Sequence, residues 1–314
     1  MMVTPPNQSW LRIVLRIRGS ALAKIWPRLL VATAWAGLIT WLAEHKHLQA
    51  TIGIHPFTLI GLALSIFLGF RNNTSYERFW EGRKLWGSLV NTSRNLTRQL
   101  LTLVGPQAAG SSEDAEVERF QRECVHRLAA YVHALRLHLR DAPDWRELAR
   151  LIPDSDLAHI SISSNPPMRI AHDLGERLAQ AYASGWIHAQ HLPILEHSIS
   201  QLLDIQGGCE RIKSTPIPFS YTLLIHRIVA IYVLALPLGL VDLTHAWTPA
   251  VELLVAYAFF GLDAIGDELE NPFGTDTHDL PLTALATMIE INVRECVGDS
   301  DLPRPRMPVN ELLL

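Results

Sequence analysis

Apolar positions gather in four runs along the chain: 29–43 (LLVATAWAGLITWLA), 57–70 (FTLIGLALSIFLGF), 221–243 (YTLLIHRIVAIYVLALPLGLVDL) and 247–265 (WTPAVELLVAYAFFGLDAI). A helix that crosses lipid needs about 20 such residues. The last two runs reach that length unaided. Trp26, Trp41 and the flanking basic side chains extend the first by anchoring at the interface. The second is shorter, as suits a helix that need not face lipid at all. The pattern predicts membrane helices at about 26–45 and 57–73 and a further pair within 219–270.

Between the two pairs the pattern changes period. Residues 115–140 place apolar side chains three and four apart, the spacing of an amphipathic helix, and 174–206 reads the same way. Breakers stand at 105–113 (GPQAAGSSE), 152–156 (IPDSD) and 161–167 (SISSNPP). Strand-like alternation is not sustained anywhere, so the chain reads as all-α. Its expected organisation is 1–73 (an N-terminal segment and two membrane helices), 74–218 (a cytosolic helical domain), 219–270 (two more membrane helices) and 271–314 (a cytosolic C-terminal segment). The Pro-rich tail, DLPRPRMPVNELLL, reads as an arm that either docks or stays free.

The stretch GFRNNTSYERFW (69–80) passes from apolar to charged with no Gly-Pro break, so the second helix is expected to run on from bilayer into water. Two stripes mark its membrane half. Gly61, Ser65 and Gly69 form a small-xxx-small seam that allows close helix packing. Leu62, Ile66 and Phe70, one position on, form a stripe of large apolar side chains. If copies of the helix pack around an axis, that stripe can line a lumen; otherwise it packs a core.

Composition agrees with a membrane protein: 48% of the 314 residues are hydrophobic and 18% charged, and mean hydropathy is +0.14. A net charge of −4 leaves no excess of cations for a nucleic-acid partner. The basic residues cluster before the first run (Arg12, Arg16, Arg18, Lys24, Arg28) and after the second (Arg71, Arg78, Arg83, Lys84), which predicts both termini in the cytoplasm. Three scattered cysteines, Cys124, Cys209 and Cys296, give neither a disulfide framework nor a zinc motif. His188, His191, Glu196 and His197 have spacings compatible with a metal, but with 14 histidines in the chain such pairs arise by chance. His126, His133 and His138 read as the solvated face of their helix. Arg227, His226, Glu252, Asp263 and Asp267 fall at membrane depth, where ionisable groups pair or face water. No phosphate loop, HExxH or nucleophile elbow is present, and neither an enzyme nor a cofactor is indicated.

FLGFRNNTSYERFWEGRKLWG (67–87) resembles the signature of the bestrophin ion channels, in their bacterial branch. SWLRIVLRIRGSALAKIWPRLL (9–30), GCERIKSTPIPFSYTLLIHRIV (208–229) and DELENPFGTDTHDLPL (267–282) support it in the same order. The resemblance implies a homopentamer in the bacterial inner membrane with four membrane helices per subunit around one central pore. Its hydrophobic neck maps to Leu62, Ile66 and Phe70, and its cytosolic aperture to Ile194. Arg71, Asn72, Asn73 and Glu77 are expected to fasten the helix junction and subunit contacts, with Trp80 packed on apolar surface. Eukaryotic relatives bind calcium through a run of acids after Asn-Pro-Phe-Gly. Here the corresponding stretch from Asn271 retains only Asp276 and Asp279, too few for a calcium cage. The expected partners are permeating small monovalent ions, anion or cation, together with lipid and further copies of the chain. The alternatives are a non-conducting scaffold that recruits cytosolic proteins and, less in keeping with the absence of repeats, a transporter.

Overall fold

The computed structural model describes residues 2–3, 14, 16, 19–45, 52–106, 114–142, 144–308 and 312–313. Arg12 and Arg18 of the basic cluster, the connection 46–51 and most of the breaker at 105–113 lie outside the described residues. The described chain is mostly helical. Its helices are α1 (Leu22–Glu44), α2 (Ile54–Leu103), α3 (Asp114–Leu139), α4 (Asp154–Ser161), α5 (Pro166–Ala183), α6 (Leu192–Ser214), α7 (Phe219–Thr244), α8 (Thr248–Glu270) and α9 (Leu282–Cys296). Short 3₁₀ turns occupy Trp145–Arg150 and His245–Trp247, and Met2–Val3 pairs antiparallel with Leu312–Leu313. The 50-residue α2 carries the apolar run through the RNNTSYERF stretch without interruption, as the missing breaker predicts.

Contacts divide the chain into two compact units. One comprises Pro5–Trp80 and Pro216–Pro272, the other Met1–Thr4, Glu81–Thr215 and Phe273–Leu314. α2 contributes residues to both.

In the first unit α1, α7 and α8 pack on one another and on the first half of α2, around Ile25, Leu29, Phe57, Leu64, Leu68, Val229, Tyr232 and Phe260. α1, α2 and the α7–α8 stretch are long and apolar enough to cross a membrane. Two close approaches depend on missing side chains. A Cβ on Gly239 would stand 2.4 Å from the Phe57 ring, and one on Gly61 would stand 2.6 Å from Tyr232 Oη. Pro237 has no amide to offer the turn before it, and in lipid an orphaned carbonyl is costly. The amide that Pro237 lacks would have answered the Val233 carbonyl; on the next residue the Trp35 indole of α1 donates to the Leu234 carbonyl at 2.8 Å, tying α1 to α7 beside the interruption.

The second unit is built on α3, which is buried over most of its surface between α9 and α5. The expectation that His126, His133 and His138 form a solvated face fails most clearly at His133, which is buried with Nε2 at 2.8 Å from Glu290 Oε2. His126 meets Asp299 at 2.6 Å and His138 meets Glu210 at 3.2 Å. The carboxylates that accept them come from distant segments, so helical periodicity within α3 could not show them. The reading of 174–206 as one helix also needs correcting. α5 stops at Ala183, Gly185 takes φ +79°, Ile187 bridges to Val104, and α6 restarts at Leu192 with Pro193 in its first turn. A left-handed glycine and a helix-starting proline override the apolar period on either side.

Glu290 concentrates charge in this unit, accepting from His133, Arg150 and Arg294 (Nη1 to Oε1, 2.9 Å). Burial pushes its carboxyl up, but hydrogen bonds and charge from His133 and Arg150 outweigh that and hold its pKa below the usual range. Asp299 is lowered in the same way by Arg294 and His126 against the effect of burial. Carboxyls depressed in the folded state contribute stability above their unfolded pKa, about 4, and lose it as pH falls further. The second unit should therefore hold its stability from pH 7 to about 5 and weaken below about 4, with a shallower acid limb in Glu290→Gln. Denaturant midpoints measured across that range check this. Burial pushes the Cys124 and Cys209 thiols up to about 12, whereas Cys296 is exposed. A thiol reagent at neutral pH should modify Cys296 alone in the folded protein and all three after denaturation, as read by intact mass.

Candidate functional site

The membrane half of α2 has two opposed faces. Phe57, Gly61, Leu64, Leu68, Arg71 and Ser75 are buried in the protomer, alternating in steps of four and three. This is the 3.5-residue period of a helix seated along a groove between neighbours. Ile66 lies two residues from both Leu64 and Leu68, about 200° around the helix. The stripe through it is uncovered in the protomer: Leu62 is 63% exposed, Ile66 50% and Phe70 65%. Physical packing therefore turns the large stripe away from the subunit's own core.

Arg71 fixes that rotation. It is the first charged residue after the apolar run, and its guanidinium is fully buried. Nη1 donates to Asp263 Oδ1 at 2.7 Å, and Nη2 donates to Asp267, one turn further along α8. The other oxygen of Asp263 meets His226 Nδ1 of α7 at 2.7 Å. One arginine thus ties α2 to α8, and the shared Asp263 brings in α7. Asn72 adds a bond from Nδ2 to the Leu262 carbonyl at 3.0 Å, and Arg78 Nε reaches the Glu270 carbonyl at 3.1 Å. Gly266 lets the helices come this close, because a Cβ there would stand 2.5 Å from Asn72 Oδ1. The sequence marked the arginine and both aspartates without pairing them, and Gly266 was missed. A small residue between Asp263 and Asp267 was the available signal.

The other motif residues are placed differently. Asn73 Nδ2 bonds Glu77 Oε1 at 2.8 Å within α2, and both are exposed in the protomer. Trp80 is half exposed, whereas Trp86 is fully buried. Within the protomer the small-residue positions do not act as one seam. Gly61 packs under Tyr232, Ser65 Oγ turns to the Gly61 carbonyl at 2.8 Å, and nothing lies within 4 Å of where a Gly69 Cβ would be. Ile194 sits exposed in the first turn of α6.

The acidic turn is occupied with its own backbone. Asp279 is buried and accepts from the Asp276 amide at 2.6 Å, and burial raises its pKa. Arg140 clasps the same turn through the Phe273 carbonyl at 3.3 Å and Thr283 Oγ1 at 2.8 Å. Asn271 ends α8. Among the described residues, the group of ligand atoms that could meet on a metal is His226, Asp263 and Asp267, within 4.8 Å of one another. Arg71 already bridges its two carboxylates. The His188 and His191 rings stand 5.6 Å apart, and nothing joins them into a ligand set among the described residues. Glu252 is buried in α8 with no hydrogen-bond partner among the described residues.

A profile of the family described as Bacterial/Fungal Bestrophin protein matches residues 1–295. The chain belongs to the bestrophin family. This bestrophin is 40% identical over 306 residues to a voltage-dependent anion channel-forming protein of Ralstonia nicotianae, covering 96% of each chain. It is 37% identical to the voltage-dependent anion channel-forming protein YneE of Escherichia coli K12, covering 98% of each. The crystal structure of a bacterial bestrophin homolog from Klebsiella pneumoniae superposes with a TM-score of 0.81 at 34% identity, over 88% of this chain and 99% of that one.

Removing one member of a buried ion pair leaves the other charged and unsolvated, at a cost of about 3–5 kcal/mol. Arg71→Met should lower stability by roughly that amount and Arg78→Met by under about 1 kcal/mol, since Arg78 lies at the partly exposed end of the contact. Thermal unfolding in detergent, followed by loss of the folded elution peak, measures both.

Proposed function

We propose that this bestrophin assembles as a homopentameric channel in the bacterial inner membrane and passes small monovalent ions along its central axis. Each subunit contributes four spans, from α1, the first half of α2, α7 and α8, with both chain ends in the cytoplasm. One observation carries the reading: Leu62, Ile66 and Phe70 form a continuous apolar stripe opposite the face that packs on the subunit's own core. Five copies around an axis would stack the stripe into three rings about 6 Å apart, a neck that conducts when wetted and blocks when dry. Ser65, exposed in the protomer, and Gly69, where an added Cβ would meet nothing within 4 Å, suit close contact with the next copy, as do the exposed Asn73 and Glu77. Ile194 would form a second constriction on the cytosolic side. The turn holding Asp276 and Asp279 is a structural closure, with calcium given no part in gating.

The relatives' names support anions as the permeating species. Uncharged rings cannot choose the sign of an ion, so selection falls to vestibule charge, backbone dipoles and the cost of dehydration. The channel reading is favoured over a scaffold because a scaffold gives no use to an apolar stripe turned from its own core on a helix whose opposite face is pinned by a buried ion pair.

Purified protein in a planar bilayer under asymmetric potassium chloride should give currents that reverse near the chloride equilibrium potential. Replacing Leu62, Ile66 and Phe70 together by Ala should raise conductance or open probability several-fold. Reversal at the potassium potential would contradict anion selectivity, and silence of both proteins would contradict the channel.

A further inference from the structure

A cleft of about 620 Å³ opens among α1, α7 and α8 within the first unit. We propose that it is a binding site for one phospholipid with a zwitterionic, amine-bearing headgroup of the phosphoethanolamine type. Three helices line it, and each changes from polar to apolar in the same direction. α1 runs from Arg28 to Val31 and Ala32, α7 from His226 to Ala230, Val233 and Leu234, and α8, read backward, from Asp267 and Asp263 to Phe260. Those apolar walls extend about 6, 12 and 10 Å from the polar floor, at 1.5 Å per residue. The polar positions stand one to two turns from the start of α1, the start of α7 and the end of α8, so they share one end of the bundle. Headgroup depth at the floor and acyl depth along the walls is the gradient a phospholipid itself carries.

Charge decides the headgroup. Asp263 and Asp267 face Arg71 and Arg28, so the floor sets two carboxylates against two guanidiniums, with the His226 imidazole beside the carboxylates. A purely anionic headgroup would meet both carboxylates, and a bare cation would have to compete with the buried Arg71. The accessible members are one of each sign: the Arg28 side chain is 56% exposed and that of Asp267 44%. A phosphate beside Arg28 and an ammonium beside Asp267 use both without disturbing Arg71. An ammonium with N–H donors can hydrogen-bond a carboxylate, which a quaternary amine cannot. The outer rim, with Trp26, Leu30, Val31 and Ile231 exposed, is apolar as a surface against lipid should be.

Native mass spectrometry of the full-length protein, titrated with phosphatidylethanolamine, phosphatidylcholine or phosphatidylglycerol of matched chains, tests this. The expected result is one phosphatidylethanolamine retained per protomer, in preference to the other two. Arg28→Gln should weaken retention about tenfold, the effect of losing one charge-assisted hydrogen bond. Val31→Trp, which fills the cleft, should abolish it, and Leu38→Trp, on an exposed part of α1 outside the cleft, should leave it unchanged. Arg28 is at the surface, so its variant is informative even if Val31→Trp fails to fold. Equal retention of all three lipids, or unchanged retention in Arg28→Gln, would overturn the proposal.

Discussion

The membrane half of this bestrophin is organised by one buried ion pair. An arginine removed from water next to an apolar core is tolerable only if carboxylates and hydrogen bonds meet it there. Arg71 is met by Asp263 and Asp267, and His226 completes Asp263 from a third helix. The direction in which Arg71 points is the direction in which Phe57, Gly61, Leu64 and Leu68 point, because they share a face of α2. Fixing the arginine therefore fixes the opposite face, and with it the stripe of Leu62, Ile66 and Phe70. Hydrophobic burial alone would specify this rotation weakly, since apolar side chains cover α2 on nearly every side. The ion pair discriminates among rotations that lipid and core would otherwise treat alike.

Glycine determines how closely the ion pair can be approached. Gly266 leaves space for the Asn72 side chain, and Gly239 leaves space for the Phe57 ring. Both positions lie on the partners of α2 and not on α2 itself. Charge and steric fit thus act on the same interface: the first selects the rotation and the second permits the separation. Asp263 and Asp267 also form the floor of the lipid-facing cleft, so the contacts that hold α2 sit beside the site through which a membrane lipid could bear on them.

Much of this was legible in the chain itself. The continuity of α2 followed from the absence of a breaker between Phe70 and Arg71, and the mostly helical architecture followed from apolar periods alone. Pairing was less accessible. Arg71 and its aspartates lie about 190 residues apart, and nothing in either segment names the other. His133 looked solvated because Glu290, which accepts from it, belongs to α9. The break between α5 and α6 was concealed by apolar residues on both sides of Gly185, whose left-handed backbone ended the helix. The small-residue stripe was visible as spacing, but its positions serve different contacts, since Gly61 packs under a tyrosine of its own chain. Local grammar showed elements and their ends; long-range charge compensation and close packing needed the fold.

The most direct test of the account is a single-particle reconstruction of the purified protein in a lipid nanodisc. Five subunits should surround an axis, with α2 innermost, Leu62, Ile66 and Phe70 facing the lumen, and the Arg71 guanidinium turned away from it onto α8. Protomers standing alone, or a ring in which those three side chains face lipid, would contradict it.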